Sequence, residues 1–511
     1  MKKFLIFPLF YCCAFVQVIA AGFDVKTSSI IDQPAIEVLG DYNGSWYVIG
    51  FEKPNHPEKP ARFYILKYAA GFPTAKCSPV YPPFGEKTDY LKAAIVDKKI
   101  SIFYSRTEHL PDRPNMVDSR EGYKQIPKIM RQDYDPVSLL PTGEPVAVFD
   151  EVKEHFAASG IDVVHSEDKT KTAILIKHYF RQSKFKLLLV DNVSDSVFQN
   201  IYELNTGKDL VSFRRMVVSN NGRVFLEAKT QIDPLYVDTR KKAAINYYFL
   251  SAAKGEELQT LSKASPNGDN PVAKDPAIGC LNVNDGELAV SWDNYVSERS
   301  PVLKSISVSI YNSQLESTNT REIVPDESII TKAANYQKTK GGLENLVTQQ
   351  LVPLKGENFL VILEQQRESI DKDKVTQLPI KTIERNYLLA YRMDGSLQFK
   401  SPVFIDKRQS AHTLDYAFSS QAYRVNNDVY LFHNEDCMAD DEHGLSLMGV
   451  CLPANGGEAV TKKIVHTSED FFISLNHIYP GPENRILFTE EKLVDYTTEG
   501  KELKLLEVRV K

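Results

Sequence analysis

An excess of positive charge is missing from this sequence. Its 511 residues carry 61 Lys plus Arg against 67 Asp plus Glu, a formal net charge of −6. No basic face of the kind that nucleic-acid phosphates require is therefore expected. Long apolar runs are missing beyond the N-terminus, where no stretch reaches the roughly 18 residues of a membrane span. No Cys-x-x-Cys occurs, which removes support for thioredoxin-like exchange and for Cys-rich zinc sites. Neither the Gly-x-Ser-x-Gly elbow of acyl hydrolases nor a Gly-rich nucleotide loop ending in Gly-Lys-Ser/Thr is present. What remains is 42% hydrophobic and 25% charged, with 25 Gly and 27 Pro, the make-up of a folded chain and not of a disordered or collagen-like one.

The first twenty residues read as a secretory signal peptide: Lys2 and Lys3, then an apolar run from Phe4 to Ala20. Val18-Ile19-Ala20 would precede a cut ahead of Ala21, with an uncleaved anchor as the alternative. Tyr11 stands where a lipidated Cys12 would need a small residue, which argues against a lipoprotein. Residues 21–511 are then one exported domain of net charge −8, after loss of the two lysines from −6. Its four cysteines are Cys77, Cys280, Cys437 and Cys451. In an oxidising compartment Cys437 and Cys451 are close enough to staple a hairpin, whereas Cys77 and Cys280 are expected as buried free thiols.

Short β-rich runs recur after turn signals, beginning at Trp46, Ile100, Ala173, Val224, Leu288, Phe359, Val429 and Ile486. The expected mature length of 511 − 20 = 491 residues divided by these eight runs gives about 61 per unit, within the observed spread of gaps. An extended segment precedes each run, such as Arg215-Met216-Val217-Val218, and a further strand follows across a longer polar loop, such as Tyr247-Tyr248-Phe249-Leu250. Val, Ile, Tyr and Phe dominate these runs, and Asn-Gly or Asp-Gly pairs bound several of them, as in two-residue hairpins.

Four antiparallel strands repeated about eight times resembles the β-propeller proteins, a resemblance of architecture that spans nearly the whole mature chain. It implies an all-β fold in which thin sheets shelter one another by closing into a ring. The last unit ends after its third strand, so the segment Phe23 to Ile31 is expected to supply the missing outer strand and clasp the ring. The second unit is the weak one, with a third strand expected only near Lys124 to Met130, and seven blades is the alternative count. Asp150 to Ala158 and Asp326 to Lys338 are expected as short helices between units. No named propeller family follows: Trp292-Asp293 occurs once, paired Kelch glycines do not recur, and the sialidase box is missing.

Loops joining second and third strands share a face with those linking blades, and both classes are long here, which marks that face for function. The residues just beyond each second strand read Glu52, Arg106, His178, Lys229, Asp293, Glu364, His433 and Glu490. In a ring they form a mixed-charge rim around the channel mouth. Strand ends that meet water are polar in any sheet; the functional reading is a polar-ligand site at the axis. From His433 to His443 five carboxylates and two histidines fall within eleven residues. Asp436, Asp440, Asp441 and Glu442 could hold calcium, but the spacing is not that of a calcium loop, and a solvated hairpin tip pinned by Cys437 and Cys451 is the favoured reading. No other cofactor is expected.

These features point to an exported, non-catalytic propeller that binds a protein or a polar ligand on its long-loop face. A glycan hydrolase or lyase with carboxylates at the channel mouth, among them Asp293, Glu364 and Glu490, is the alternative from another class. A structural component of the cell envelope is the third.

Overall fold

The computed structural model describes residues 23–27, 35–52, 62–69, 75–80, 88–109, 125–149, 156–178, 183–206, 210–231, 245–267, 274–281, 286–297, 300–336, 342–354, 359–372, 379–393, 402–411, 420–425, 428–436, 445–452, 459–467, 471–481, 483–492 and 503–510. They form eight antiparallel sheets, each built on four strands. The innermost strands, in blade order, are Ala35–Tyr42, Thr88–Val96, Phe156–His165, Leu210–Val218, Ala277–Leu281, Leu346–Pro353, Ser420–Val425 and Phe471–Pro480. Each touches the next, and the eighth touches the first, so the circle closes. The chain is an eight-bladed β-propeller.

Hairpin chemistry starts each blade. In the first, Asn43 and Gly44 both adopt positive φ (51° and 78°), and Asp41 Oδ1 accepts a hydrogen bond from the Gly44 amide at 3.1 Å. That turn suits the right-handed twist of its flanking strands, and Asn-Gly reaches it at little steric cost. In the second blade Asp97 and Lys98 take the same role.

Packing explains why the second strands look apolar on both sides. Eight clusters of buried apolar residues exist among the described residues, one between each pair of neighbouring blades. In the first blade Trp46 and Val48 face the eighth blade, while Tyr47 and Ile49 face the second. The period-two alternation of a strand thus feeds two interfaces instead of one core and one solvent face.

Ring closure follows the expected route. Phe23–Thr27 pairs antiparallel with Leu503–Val510 as the outer strand of the eighth blade, Phe23 opposite Val510 and Thr27 opposite Leu506. Residues 28–31 of the expected clasp lie outside the described residues. Buried polar contacts reinforce the seam between the last and first blades: Trp46 Nε1 donates to Glu507 Oε2 at 2.5 Å, and Arg485 bridges Glu507 at 3.2 Å and Asp41 at 2.9 Å.

The second blade has a full third strand, Gln125–Tyr134, which removes the seven-blade alternative. The helix expected over Asp150–Ala158 is corrected at its end: Phe156 to Ala158 belong to the third blade's inner strand, with Phe156 paired to His178, and residues 150–155 lie outside the described set. Sheet pairing overrides the acidic start and glycine stop that suggested a helix. The second helix exists as Glu327–Ala333, followed by a 3-10 turn to Tyr336. Asp326 caps it by accepting the Ile329 amide at 3.0 Å. Ile329 and Ala333 pack into the cluster between the fifth and sixth blades. Among the described residues no helix is long and apolar enough to cross a membrane.

Candidate functional site

First-to-second connections are short, as at 43–44, 97–98 and 426–427, whereas second-to-third connections extend over 53–61, 110–124 and 232–245. Antiparallel order puts the latter on the same end as the blade-to-blade links. The inner strands also depart from regularity. Six of the eight inner strands carry a register shift against their second strands. Such bulges turn side chains away from the plain alternation and are common beside binding sites.

The bulge of the fourth blade has the clearest chemical consequence. Phe213 stands opposite Ala228 and Arg215 opposite Glu227, so Arg214 is the extra residue. Phe213 and Met216 turn into the apolar cluster shared with the third blade. The two arginines turn toward the fifth blade: Arg214 Nε lies 3.5 Å from Asp275 Oδ2, and an Arg215 terminal nitrogen donates to the Pro276 carbonyl at 3.1 Å. Both arginines remain exposed. Beside the bulge a cavity of about 220 Å³ opens between the third and fourth blades, and Arg214 and Arg215 line it together with Asp162, Val164, Leu175, Phe213 and Met216.

On the second strand, Val224–Gln231, Glu227 and Lys229 are two apart and share the face that Arg215 occupies. Tyr247, opposite Lys229 on the third strand, completes the group. Asp275, just ahead of the fifth blade's inner strand, is its hub. Its Oδ1 accepts from Lys229 Nζ at 2.8 Å and from the Tyr247 hydroxyl at 2.7 Å. Burial works against ionisation of Asp275, but these two hydrogen bonds and the charges of Lys229 and Arg214 outweigh it and hold its pKa low. The same hydrogen bond, after burial, drives the Tyr247 pKa upward.

Glu227 is the odd member. It is wholly buried, and neither carboxyl oxygen has a hydrogen-bond partner among the described residues. Burial pushes its pKa up to about 7; the Asp275 charge adds to this, and Arg215, Arg214 and Lys229 oppose it. The cations beside it are engaged by Asp275 and Pro276. The cleft between the fourth and fifth blades therefore combines three cations, one satisfied carboxylate and one carboxyl that titrates near neutrality.

The eight residues read from the sequence as a rim lie within the second strands, not beyond them, and one strand out from the inner ring. Lys229 belongs to the cleft just described. Glu52 and His178 end their strands; the Glu52 side chain is outside the described set, and His178 and Arg106 are half-buried. Asp293 is buried between the fifth and sixth blades, where Thr348 donates to it from its amide at 2.8 Å and its hydroxyl at 2.5 Å. Burial raises the Asp293 pKa to about 6 against those two bonds. Glu364 is wholly buried and receives Lys407 Nζ at 2.5 Å and Arg385 at 3.1 Å. His433 is buried near Lys407 with neither ring nitrogen bonded among the described residues. Burial, helped by the Lys407 charge, pushes the His433 pKa down to about 3. Glu490, also buried, sits 3.7 Å from Lys504.

Asp436 closes the seventh blade's second strand, but its side chain and all of Asp440, Asp441 and Glu442 lie outside the described residues. No group of three or more His, Cys, Asp or Glu suited to a metal occurs among the described residues. Cys451 is a buried free thiol, and its expected partner Cys437 lies outside the described residues. Cys280 is a free thiol too, half-buried, with its pKa pushed by burial to about 12. The expected burial of Cys77 falls on a side chain outside the described set.

A scan against protein-family models and a search of the curated proteins give no match. Among solved structures the chain is similar to the β-propeller domain of the Trilobed protease from Pyrococcus furiosus, at 9% identity over 85% of this chain and 98% of that one, TM-score 0.36. It is similar to the WD40 domain of SCAP from fission yeast, at 9% identity over 95% and 98%, TM-score 0.36. A polysaccharide lyase of family PL25, an ulvan lyase, aligns at 11% identity over 94% of each chain, TM-score 0.38. The blade count rests on the strand pairing itself.

Proposed function

We propose that this protein is an exported propeller that binds an anionic ligand on its long-loop face, at the cleft between the fourth and fifth blades. The observation that carries this reading is the bulge at Arg214, which sets two exposed guanidinium groups beside Lys229 at one interface. Guanidinium groups match carboxylates, sulfates and phosphates through paired N–H donors. Arg215 spends one described contact on a backbone carbonyl and Arg214 one long contact on Asp275, so donors remain for a ligand. Export is part of the proposal and rests on the N-terminal charged and apolar segments.

The test is binding of the purified mature protein to an array of neutral, uronate-bearing and sulfated glycans and acidic peptides, repeated with R214A/R215A. Retention of acidic ligands by the wild type alone is expected. Equal retention of neutral and acidic ligands, or no effect of the double substitution, would overturn the reading.

A second reading, cleavage of a glycan at the same cleft, is favoured by Glu227. A carboxyl that titrates near 7 is matched to proton transfer at neutral pH. Appearance of shorter products from an acidic glycan retained on the array, lost in E227Q, would establish it.

A further inference from the structure

We propose that Glu227 makes anion capture at this cleft a joint event, in which one proton binds together with the anion. This rests on the anion-binding reading and adds to it a residue that sets when the cleft will accept its ligand.

The geometry carries the inference. Glu227 stands directly across the strand pair from Arg215, one of the exposed cations proposed to hold the ligand. Such cross-strand neighbours have Cβ atoms about 4.5–5.5 Å apart. The carboxyl is wholly buried, and no donor among the described residues reaches either oxygen. Among the described residues, the charged or titratable groups facing it come from four elements. Arg214 and Arg215 lie on the inner strand, Lys229 on its own strand, Tyr247 on the third, and Asp275 at the entry to the fifth blade. Asp275 is held low and the Tyr247 hydroxyl high, so neither changes state near neutrality.

An anion on Arg214 and Arg215 places a second negative charge next to this carboxyl. An ionised Glu227 has no hydrogen bond to compensate it, and the added charge opposes ionisation further. Linkage makes the effect reciprocal: whatever the anion does to the proton's affinity, the proton does to the anion's. The cleft thus binds anions more tightly on the acid side of neutrality, and it does so without a histidine among the described residues of the cluster.

The test uses inorganic sulfate, which stays fully ionised over the range, titrated calorimetrically into the full mature chain at pH 6 and pH 8. Two buffers with different heats of ionisation report the proton count. If the anion moves the Glu227 pKa from about 7 by about one pH unit, binding should be about fivefold weaker at pH 8 than at pH 6. Proton uptake should accompany it, peaking at about half a proton per sulfate midway between the two pKa values and standing at about 0.4 at pH 8. E227Q should bind equally at both pH values and take up no proton. Sulfate binding that R215A abolishes but that shows no pH dependence and no proton uptake would overturn this inference and leave the anion site standing. Failure of the wild type to bind sulfate at either pH would overturn both. Should E227Q fail to fold, the wild-type proton count alone decides.

Discussion

Replacing Glu227 with Gln should stabilise the protein at pH 8 and change little at pH 4. Gln keeps the shape of the side chain and removes the charge. The folded-state carboxyl titrates at about 7 against an ordinary value of 4.5. Below 4.5 the carboxyl is protonated in both folded and unfolded chains and costs nothing. As pH rises through 4.5 the unfolded chain ionises first, so stability falls until the folded carboxyl also ionises near 7. From there the cost is constant at about 3 kcal/mol, at about 1.4 kcal/mol per pKa unit. With an unfolding entropy of about 2.1 cal/mol/K per residue over a chain of this size, that is a shift of about 3 °C in the midpoint. The assay is thermal unfolding of both proteins from pH 4 to pH 9, read as the difference in midpoint. A difference that grows from near zero to a few degrees between pH 4.5 and 7.5 agrees with the reasoning. A variant that is less stable at pH 8 would refute it, because the carboxylate would then have partners that Gln cannot replace.

Four further outcomes follow from buried groups at other interfaces. K407M leaves Glu364 buried with Arg385 and Gln366 as its partners among the described residues, and should cost about 3–5 kcal/mol in denaturant unfolding, with E364Q/K407M recovering part of it. His433 is neutral when folded and titrates at about 3, against an ordinary value of 6.5. Its contribution is therefore lost as pH falls below 6.5, by up to about 5 kcal/mol, and H433N should flatten the acid limb of the stability profile. Trp46→Ala empties the centre of the seam between the last and first blades and should cost about 3–5 kcal/mol. V25D puts a charge into the cluster that holds the clasp strand, and protease nicking near residue 25 should become faster than in the wild type.

The fold was largely legible because its physics is repetitive. Eight runs such as Trp46-Tyr47-Val48-Ile49 announce strands buried on both faces, and only a ring offers each of them two neighbours. The clasp at Phe23 was legible from a count of strands in the last unit. The site was less so. Lys229 was visible as a charge near a strand end, but its companions were not. Arg214 and Arg215 interrupt an apolar run, and Glu227 follows Val224-Phe225-Leu226 where an apolar residue was due. Those interruptions were the available signal. A bulge shifts register by one residue, and nothing local says where it falls, so the face on which Arg214 lands could not be read. Buried pairing across blades, as of Asp293 with Thr348 or Glu364 with Lys407, joins residues distant in sequence and leaves no spacing to recognise. The helix expected over Asp150–Ala158 gives way from Phe156 onward for a related reason, since pairing of Phe156 with His178 outweighs local preference.

The claim on which the functional account turns is that ring closure brings Arg214, Arg215 and Lys229 to one cleft able to hold an anion. A crystal of the mature protein soaked in selenate, with data collected at the selenium edge, measures this directly. An anomalous peak within hydrogen-bond reach of the two arginine side chains is the predicted result. Selenate bound elsewhere on the disc, with that cleft empty, would contradict it.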